Sequence, residues 1–167
     1  MKRIVLSLLL LITSISPSHA ATLNNCTTVK RDVAVVKGSY LQCLANTDLA
    51  FFESFRGPMV VNFWGSWCAP CADEMPYFRK FYKEHKEYAL VGVDVEEAKI
   101  DNGRTFANYQ KMLWPNFYDY SGSTRGISGI GVPVTVFINK SGKIVHKKVG
   151  VLRSYKELET LAKKYLS

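Results

Sequence analysis

The order of hydrophobic and polar residues divides the chain into short β-rich runs and longer amphipathic stretches. Met59-Val60-Val61-Asn62-Phe63-Trp64 is a nearly unbroken apolar run of strand length, and residues 89–95 and 134–138 repeat the pattern. Such runs fit strands covered on both faces. From about 69 to 86 the apolar positions shift to helical spacing, and Phe78, Phe81 and Tyr82 are read as core. A second helix is predicted over about 103–113 and a short strand from Asn116 to Tyr120, followed by a glycine-rich connection over 122–131. Asn139-Lys140-Ser141-Gly142-Lys143 turns the 134–138 run into 144–149, which makes a hairpin. Ser154 with Glu157 is a capping box that opens a last helix through Leu166. Thr47-Asp48 is expected to cap a short helix through Phe55, stopped by Gly57-Pro58. Strand–helix–strand–helix, then hairpin and helix, implies a mixed sheet with helices on both faces.

The start of the chain follows another pattern. Lys2 and Arg3 precede an apolar run from Ile4 to Ile15, and Pro17-Ser18-His19-Ala20 ends in small residues. This is the pattern of a secretory signal peptide over 1–20, cut after Ala20. The apolar run is about a dozen residues, short of the roughly 20 that a spanning helix needs, which weighs against an uncleaved anchor. Residues 21–167 then form one domain, with 21–47 an N-terminal extension that contains the apolar piece 29–36. A chain of 167 residues, 47% of them hydrophobic, can bury a core of its own.

Removing Lys2 and Arg3 lowers the formal charge from +8 to +6. The remaining basic residues, such as Lys80, Lys83, Lys147, Lys148, Lys163 and Lys164, are dispersed. No basic run or aromatic-basic interleaving marks a nucleic-acid groove. They read as a solvated surface, at most favouring an anionic membrane face.

Export changes how the four cysteines read. Outside the cytoplasm disulfides persist, and an even count implies pairs. Cys26 and Cys43 would be one pair, closing a loop of about 18 residues and contributing roughly 3 kcal/mol if unstrained. The other reading leaves Cys43 a small buried hydrophobe and Cys26 in a loose tail. Cys26 is also a candidate lipidated cysteine, but the preceding Leu23-Asn24-Asn25 is bulky and polar.

Cys68 and Cys71 stand in Trp67-Cys68-Ala69-Pro70-Cys71, between the 59–64 strand and a helix start. There Cys68 meets free backbone N–H groups and the positive end of the helix dipole, both of which favour thiolate. The thiolate is the species that attacks a disulfide, so the placement makes a reactive redox pair. A structural disulfide and half a zinc site share this spacing. Zinc needs about four ligands, whereas His85, His146 and the other cysteines are scattered singly, so no metal is expected. Both histidines lack a visible partner and are placed on the surface.

The succession Asn62-Phe63-Trp64-Gly65-Ser66-Trp67-Cys68-Ala69-Pro70-Cys71, then Glu74 and Pro76, then Gly131-Val132-Pro133-Val134-Thr135-Val136-Phe137, resembles the thioredoxin superfamily. More narrowly it is similar to the exported branch of TlpA, ResA and DsbE-like proteins, over about 44–167. The resemblance implies an α/β thioredoxin-like fold: a central mixed β-sheet flanked by helices, behind the N-terminal extension. It implies a protein thiol-disulfide oxidoreductase that needs no cofactor.

In the resemblance Cys68 is the exposed nucleophile and Cys71 the more buried resolving thiol, with Ala69 and Pro70 tuning their potential. Pro133 is the cis-proline facing the cysteines, and the backbone of Val132 is the edge that pairs with an extended substrate. Trp67 forms an apolar rim for substrate, while Trp64 is assigned to the core. Glu74 sits near the sulfurs and influences their ionisation; alternatively it is a first-turn acid serving the helix dipole, as Asp73 is taken to be. Thioredoxin has a buried aspartate where this chain has Asn62, which cannot titrate, so Glu74 is the natural substitute. Pro76 removes a helix hydrogen bond and is expected to kink the helix.

The implied partners are exported protein thiols or disulfides and a membrane redox protein, with the chain itself a monomer. Two directions stay open. A TlpA/ResA-like reductase would keep exported thiols reduced, for example apocytochrome c before haem attachment; a DsbE-like oxidase would donate its disulfide. A binding module with a structural disulfide is the reading of another class. A peroxidase is disfavoured, since it needs a lone peroxidatic cysteine.

Overall fold

The computed structural model describes residues 23–167; the leader expected over 1–20 and its cut site lie outside the described residues. A seven-stranded sheet runs in the order β2-β1-β5-β4-β3-β6-β7. Its strands are β1 (Tyr40–Cys43), β2 (Leu49–Phe51), β3 (Met59–Trp64), β4 (Ala89–Val95), β5 (Asn116–Asp119), β6 (Val134–Ile138) and β7 (Ile144–Val149). Strand β4 lies parallel to both β3 and β5, whereas β6 is antiparallel to β3 and to β7. The apolar runs predicted as strands over 59–64, 89–95, 134–138 and 144–149 have those bounds, and the run at 116–120 ends one residue earlier.

Every residue of β3 is buried, because this inner strand is covered on both faces. Val60 and Trp64 join a cluster with Cys71, Met75, Phe78 and Phe81 of α1 (Ala69–Glu84) and Leu158 of α4 (Tyr155–Leu166). Met59, Val61 and Phe63 point the other way, towards Leu41, Val93 and Val136.

Helix α2 (Ile100–Tyr109) lies on the α1 face, with Ala107 in that cluster. A Cβ on its Gly103 would fall 1.9 Å from Asp94 Oδ2, so only glycine lets the helix approach β4 this closely. The crossovers β3-α1-β4 and β4-α2-β5 step the same way across the sheet, and right-handed connections then place both helices on one face. Helices lie on both faces as expected, but unequally: the three long ones, α1, α2 and α4, share this face. The opposite face is covered by Cys26 and Val29 of the extension, by Phe52 and Phe55, and by Ile127 of the one-turn α3 (Arg125–Ser128).

Thr47 and Asp48 cap no helix. They belong to the turn between β1 and β2, where Cys43 N–H donates to the Asp48 carbonyl (2.8 Å) and Asp48 N–H to Asn46 Oδ1 (2.9 Å). Ala50 is buried opposite Leu41, and only a single 3-10 turn, Phe52–Ser54, follows. Cross-strand pairing has outweighed local helix preference here.

The extension is built into the sheet. Strand β1 pairs Gln42 with Tyr118 and Cys43 with Phe117, and a disulfide joins Cys43 to Cys26 with a Cα separation of 5.9 Å. The 29–36 piece is not a strand: Val29 is buried, Arg31 makes an isolated bridge to Phe55, and Val33 and Val36 face solvent. Helix α2 begins at Ile100 and ends at Tyr109, short of the predicted 113, and Lys111 has a φ of 53° that no α-helix accommodates.

The surface placement of the histidines is also corrected. His85 is buried, with Nδ1 2.8 Å from the Glu87 carboxylate and Nε2 3.1 Å from the Tyr155 hydroxyl, so it ties the end of α1 to α4. His146 is half-buried and stacks on Tyr165 at 4.0 Å. Both have partners on α4, too far along the chain for a local pattern to reveal.

Candidate active site

Strand β3 ends at Trp64, which is fully buried and stacks on Phe106 of α2 at 5.0 Å, as a core residue should. The chain then turns, with Cys68 N–H donating to the Gly65 carbonyl at 3.0 Å. The Trp67 indole folds back over Gly65, where a Cβ would lie 2.7 Å from Nε1. Ser66 N–H donates to the Glu97 carboxylate at 2.7 Å, and the Glu97 carbonyl accepts the Tyr118 hydroxyl at 3.0 Å. The loop after β4 therefore pins the turn.

Cys68 is the N-cap of α1. Its Sγ accepts the Cys71 N–H at 3.1 Å, and its carbonyl accepts the Ala72 N–H at 3.2 Å. Donors of this kind, with the helix dipole behind them, favour negative charge on sulfur when the pair is reduced. Ala69 and Pro70 open the helix and are exposed; a proline there gives up an N–H that has no helical partner. Cys68 and Cys71 are joined as a disulfide with a Cα separation of 5.3 Å. Cys68 is not the exposed residue expected: in the disulfide it is only 4% exposed and Cys71 wholly buried, and it is Trp67 beside them, 54% exposed, that faces solvent.

Sheet register brings the distal motif to the same place. Phe63 pairs with Val134, so Pro133 follows on opposite Trp64, at the mouth of the turn. The Val132–Pro133 peptide is cis. Val132 is half-buried and packs against the cluster that contains both cysteines. Beside it runs a groove of about 420 Å³ lined by Ile130, Gly131, Val132, Pro133 and Val149, with Ile130 wholly exposed at its edge.

Glu74 lies one helical turn after Cys71 on the covered face of α1 and is fully buried. Its Oε1 accepts the Leu152 N–H, and its Oε2 has no partner among the described residues. Burial pushes the carboxyl up to about 7; the Leu152 N–H and the Lys148 ammonium pull the other way, and Glu157 adds to the push. A dipole-serving surface acid would be exposed, as Asp73 is. An acid of this affinity is part-ionised near neutral pH and can hold or release a proton within a turn of the sulfurs.

Asn62 is buried below this region, opposite Thr135 in register, and neither of its amide atoms has a partner among the described residues. Two further acids, Asp94 and Glu97, belong to this region although no motif marks them. Asp94, beside Trp64 in register, is fully buried, and burial, with Glu97 adding, pushes its carboxyl up to about 9. An acid inside the apolar 89–95 run was its visible signal. Glu97 had no signal, being one loop acid among several.

A family model described as the AhpC/TSA family matches residues 41–147. The chain belongs to the AhpC/TSA family. Thiol-disulfide oxidoreductase ResA of Geobacillus kaustophilus is 30% identical over 151 residues, which span 86% of this chain and 85% of that protein. ResA of Bacillus anthracis is 34% identical over 107 residues, 62% of this chain; the chain thus spans 61% of that relative's length.

Among solved structures, StoA from Bacillus subtilis is 28% identical, with a TM-score of 0.55 over 61% of this chain and 79% of that one. The MTB dsbF structure, in mixed oxidised and reduced forms, is 24% identical and shares the fold, with a TM-score of 0.67 over 75% of this chain and 93% of that one. The chain is a TlpA/ResA/DsbE-like protein of thioredoxin-like fold, as its motifs implied.

Proposed function

We propose that this protein is an exported thiol-disulfide oxidoreductase that reduces disulfides in other exported proteins through Cys68 and Cys71. One observation carries the reading: the two cysteines form a disulfide at the start of α1, with the Sγ of the outer one, Cys68, already accepting a backbone N–H. A structural disulfide has no need of a helix start, an exposed tryptophan rim and a proton-holding acid one turn away.

In the reduced protein the Cys68 thiolate attacks one sulfur of a substrate disulfide. A mixed disulfide forms, and the other substrate sulfur leaves as a thiolate and takes up a proton. Cys71 then gives its proton to a base, for which Glu74 is the group at hand, and attacks Cys68 Sγ. The second substrate thiol is released, so the substrate gains two electrons and two protons while Cys68–Cys71 becomes a disulfide. A membrane dithiol protein restores the pair.

Trp67, Ile130 and the groove beside Pro133 supply the apolar surface for an extended substrate segment, with the Val132 backbone as the pairing edge. The relatives named thiol-disulfide oxidoreductase ResA support thiol-disulfide exchange itself; the reducing direction, and apocytochrome c before haem attachment as the substrate class, follow from the resemblance to the TlpA/ResA-like branch.

Equilibration with glutathione buffers, read by alkylation of the pair, tests this. A potential near or below about −250 mV, close to thioredoxin at about −270 mV, is expected of a reductase. A value near about −150 mV, towards DsbA at about −120 mV, would make the protein a DsbE-like oxidase instead. A pair that does not exchange at all would leave only a structural disulfide.

A further inference from the structure

The segment from Val149 to Leu152 is a strap between the two halves of the site. At one end Gly150 N–H donates to the Pro133 carbonyl at 3.0 Å, and at the other Leu152 N–H donates to Glu74 Oε1. Between them the strap makes no ladder contact of its own, since β7 has ended at Val149. Its three consecutive carbonyls are gathered instead by one cation. Lys148 Nζ donates to the carbonyls of Val149 at 3.1 Å, Gly150 at 3.3 Å and Val151 at 3.0 Å. Three donors and three acceptors match, so the ammonium is satisfied without water.

We propose that Lys148 is a positioning residue for Glu74: by gathering the strap carbonyls it holds the Leu152 N–H on the Glu74 carboxyl and brings a positive charge to the buried acid. In the sequence Lys148 reads as one of the solvated surface cations, but its side chain is only 23% exposed. Glu157 of α4, with a carboxylate oxygen 4.0 Å from Nζ, is the counter-charge behind it.

The groups that act on Glu74 are thus distributed over several elements. They are Lys148 from β7, the Leu152 N–H from the strap and Glu157 from α4; the Cys68–Cys71 pair, uncharged as a disulfide, stands one turn away on its own helix. Lys148 and Leu152 favour the carboxylate, and Glu157 disfavours it. The inference rests on the proposed role of Glu74 as proton holder, and the test keeps the two apart.

Full-length protein carrying Lys148→Met, Lys148→Arg or Glu157→Gln is compared with wild type by two readouts. The first is the pH dependence of the Glu74 side-chain carboxyl carbon signal in the oxidised form. The second is the pH profile of Cys68 alkylation in the reduced form. Lys148→Met should move the Glu74 titration up by about one pH unit, as loss of a nearby opposite charge does. Lys148→Arg should restore it to within a few tenths, and Glu157→Gln should move it down. The alkylation profile should follow in the wild-type background and not in a Glu74→Gln background.

An unmoved Glu74 signal in Lys148→Met, even with a lowered melting temperature, overturns the proposal and leaves Lys148 a structural clasp. A shifted Glu74 signal with an alkylation profile that Glu74→Gln does not change supports the positioning by Lys148 and overturns the proton-holding role of Glu74.

Discussion

Two cysteines in one helical turn are chemically alike until the helix start separates them. Cys68 caps α1 and accepts a backbone N–H, while Cys71 is wholly buried one turn in. Cys71→Ser should therefore trap mixed disulfides with protein substrates on a non-reducing gel, whereas Cys68→Ser should trap none. Equal trapping by both would exchange or erase the two roles. Glu74 affords a second test. Its carboxyl, pushed up to about 7, is neutral below that pH and charged above it. A charge there opposes the thiolate, so Glu74→Gln should speed alkylation of Cys68 severalfold above pH 7 and leave it unchanged at pH 5. If the acid served only the helix dipole, the profile would stay where it was and stability would drop by about 0.3–1 kcal/mol.

At the scale of elements, the site depends on how α4 is delivered to α1. Helix α4 starts at Ser154, whose Oγ accepts the Glu157 N–H at 3.2 Å. The returning contact of the capping box is offset: Glu157 Oε2 accepts the N–H of Arg153, one residue before the cap, at 2.7 Å. The same Glu157 stands behind Lys148, so the start of α4, the strap and Glu74 share one network. Ser154→Ala should cost about 1 kcal/mol in urea unfolding. It should not change the Cys68 alkylation profile, because the Lys148 contacts to the strap do not pass through Ser154. The far end of α1 is tied to α4 by His85, whose imidazole lies between Glu87 and the Tyr155 hydroxyl.

For the molecule as a whole, two buried carboxyls make stability depend on pH in an unusual direction. Glu74 holds its proton up to about 7 in the fold against 4.5 ordinarily, and Asp94 up to about 9 against 3.8. A raised carboxyl contributes stability that is complete below its unfolded value and is lost as pH rises through its folded value. The oxidised protein should therefore melt at lower temperature as pH increases from 5 to 9. Glu74→Gln should remove its own share of the fall, which ends at about pH 7 and is on the order of 3 kcal/mol; Asp94→Asn should shallow the fall over the whole range and abolish the part above pH 7. A melting temperature that rises over this range would show that both acids are ionised in the fold. The Cys26–Cys43 bond acts at the same scale. It fastens the extension to β1 across a sequence separation of 17, and Cys26→Ala/Cys43→Ala should cost about 3 kcal/mol while leaving the Cys68–Cys71 potential unaltered.

Period and punctuation were enough for the inner strands, α1, the β6–β7 hairpin and the capped start of α4, because each depends on neighbours in the chain. The redox pair was legible for the same reason: spacing, a strand before it and a helix after it lie within one short segment. What the chain could not show locally was decided by the fold. Thr47-Asp48 became a hairpin turn because Leu41 and Ala50 pair across strands. His85 was buried and His146 half-buried by α4, and both long crossover helices fell on one face because successive right-handed steps run the same way. Lys148 looks like any surface lysine in the sequence, and only the strap, held between Pro133 and Glu74, gives its ammonium three carbonyl acceptors. Hydrophobic periodicity is a local property. The partner of a buried charge, by contrast, is set by which distant backbone groups the packed chain leaves within reach.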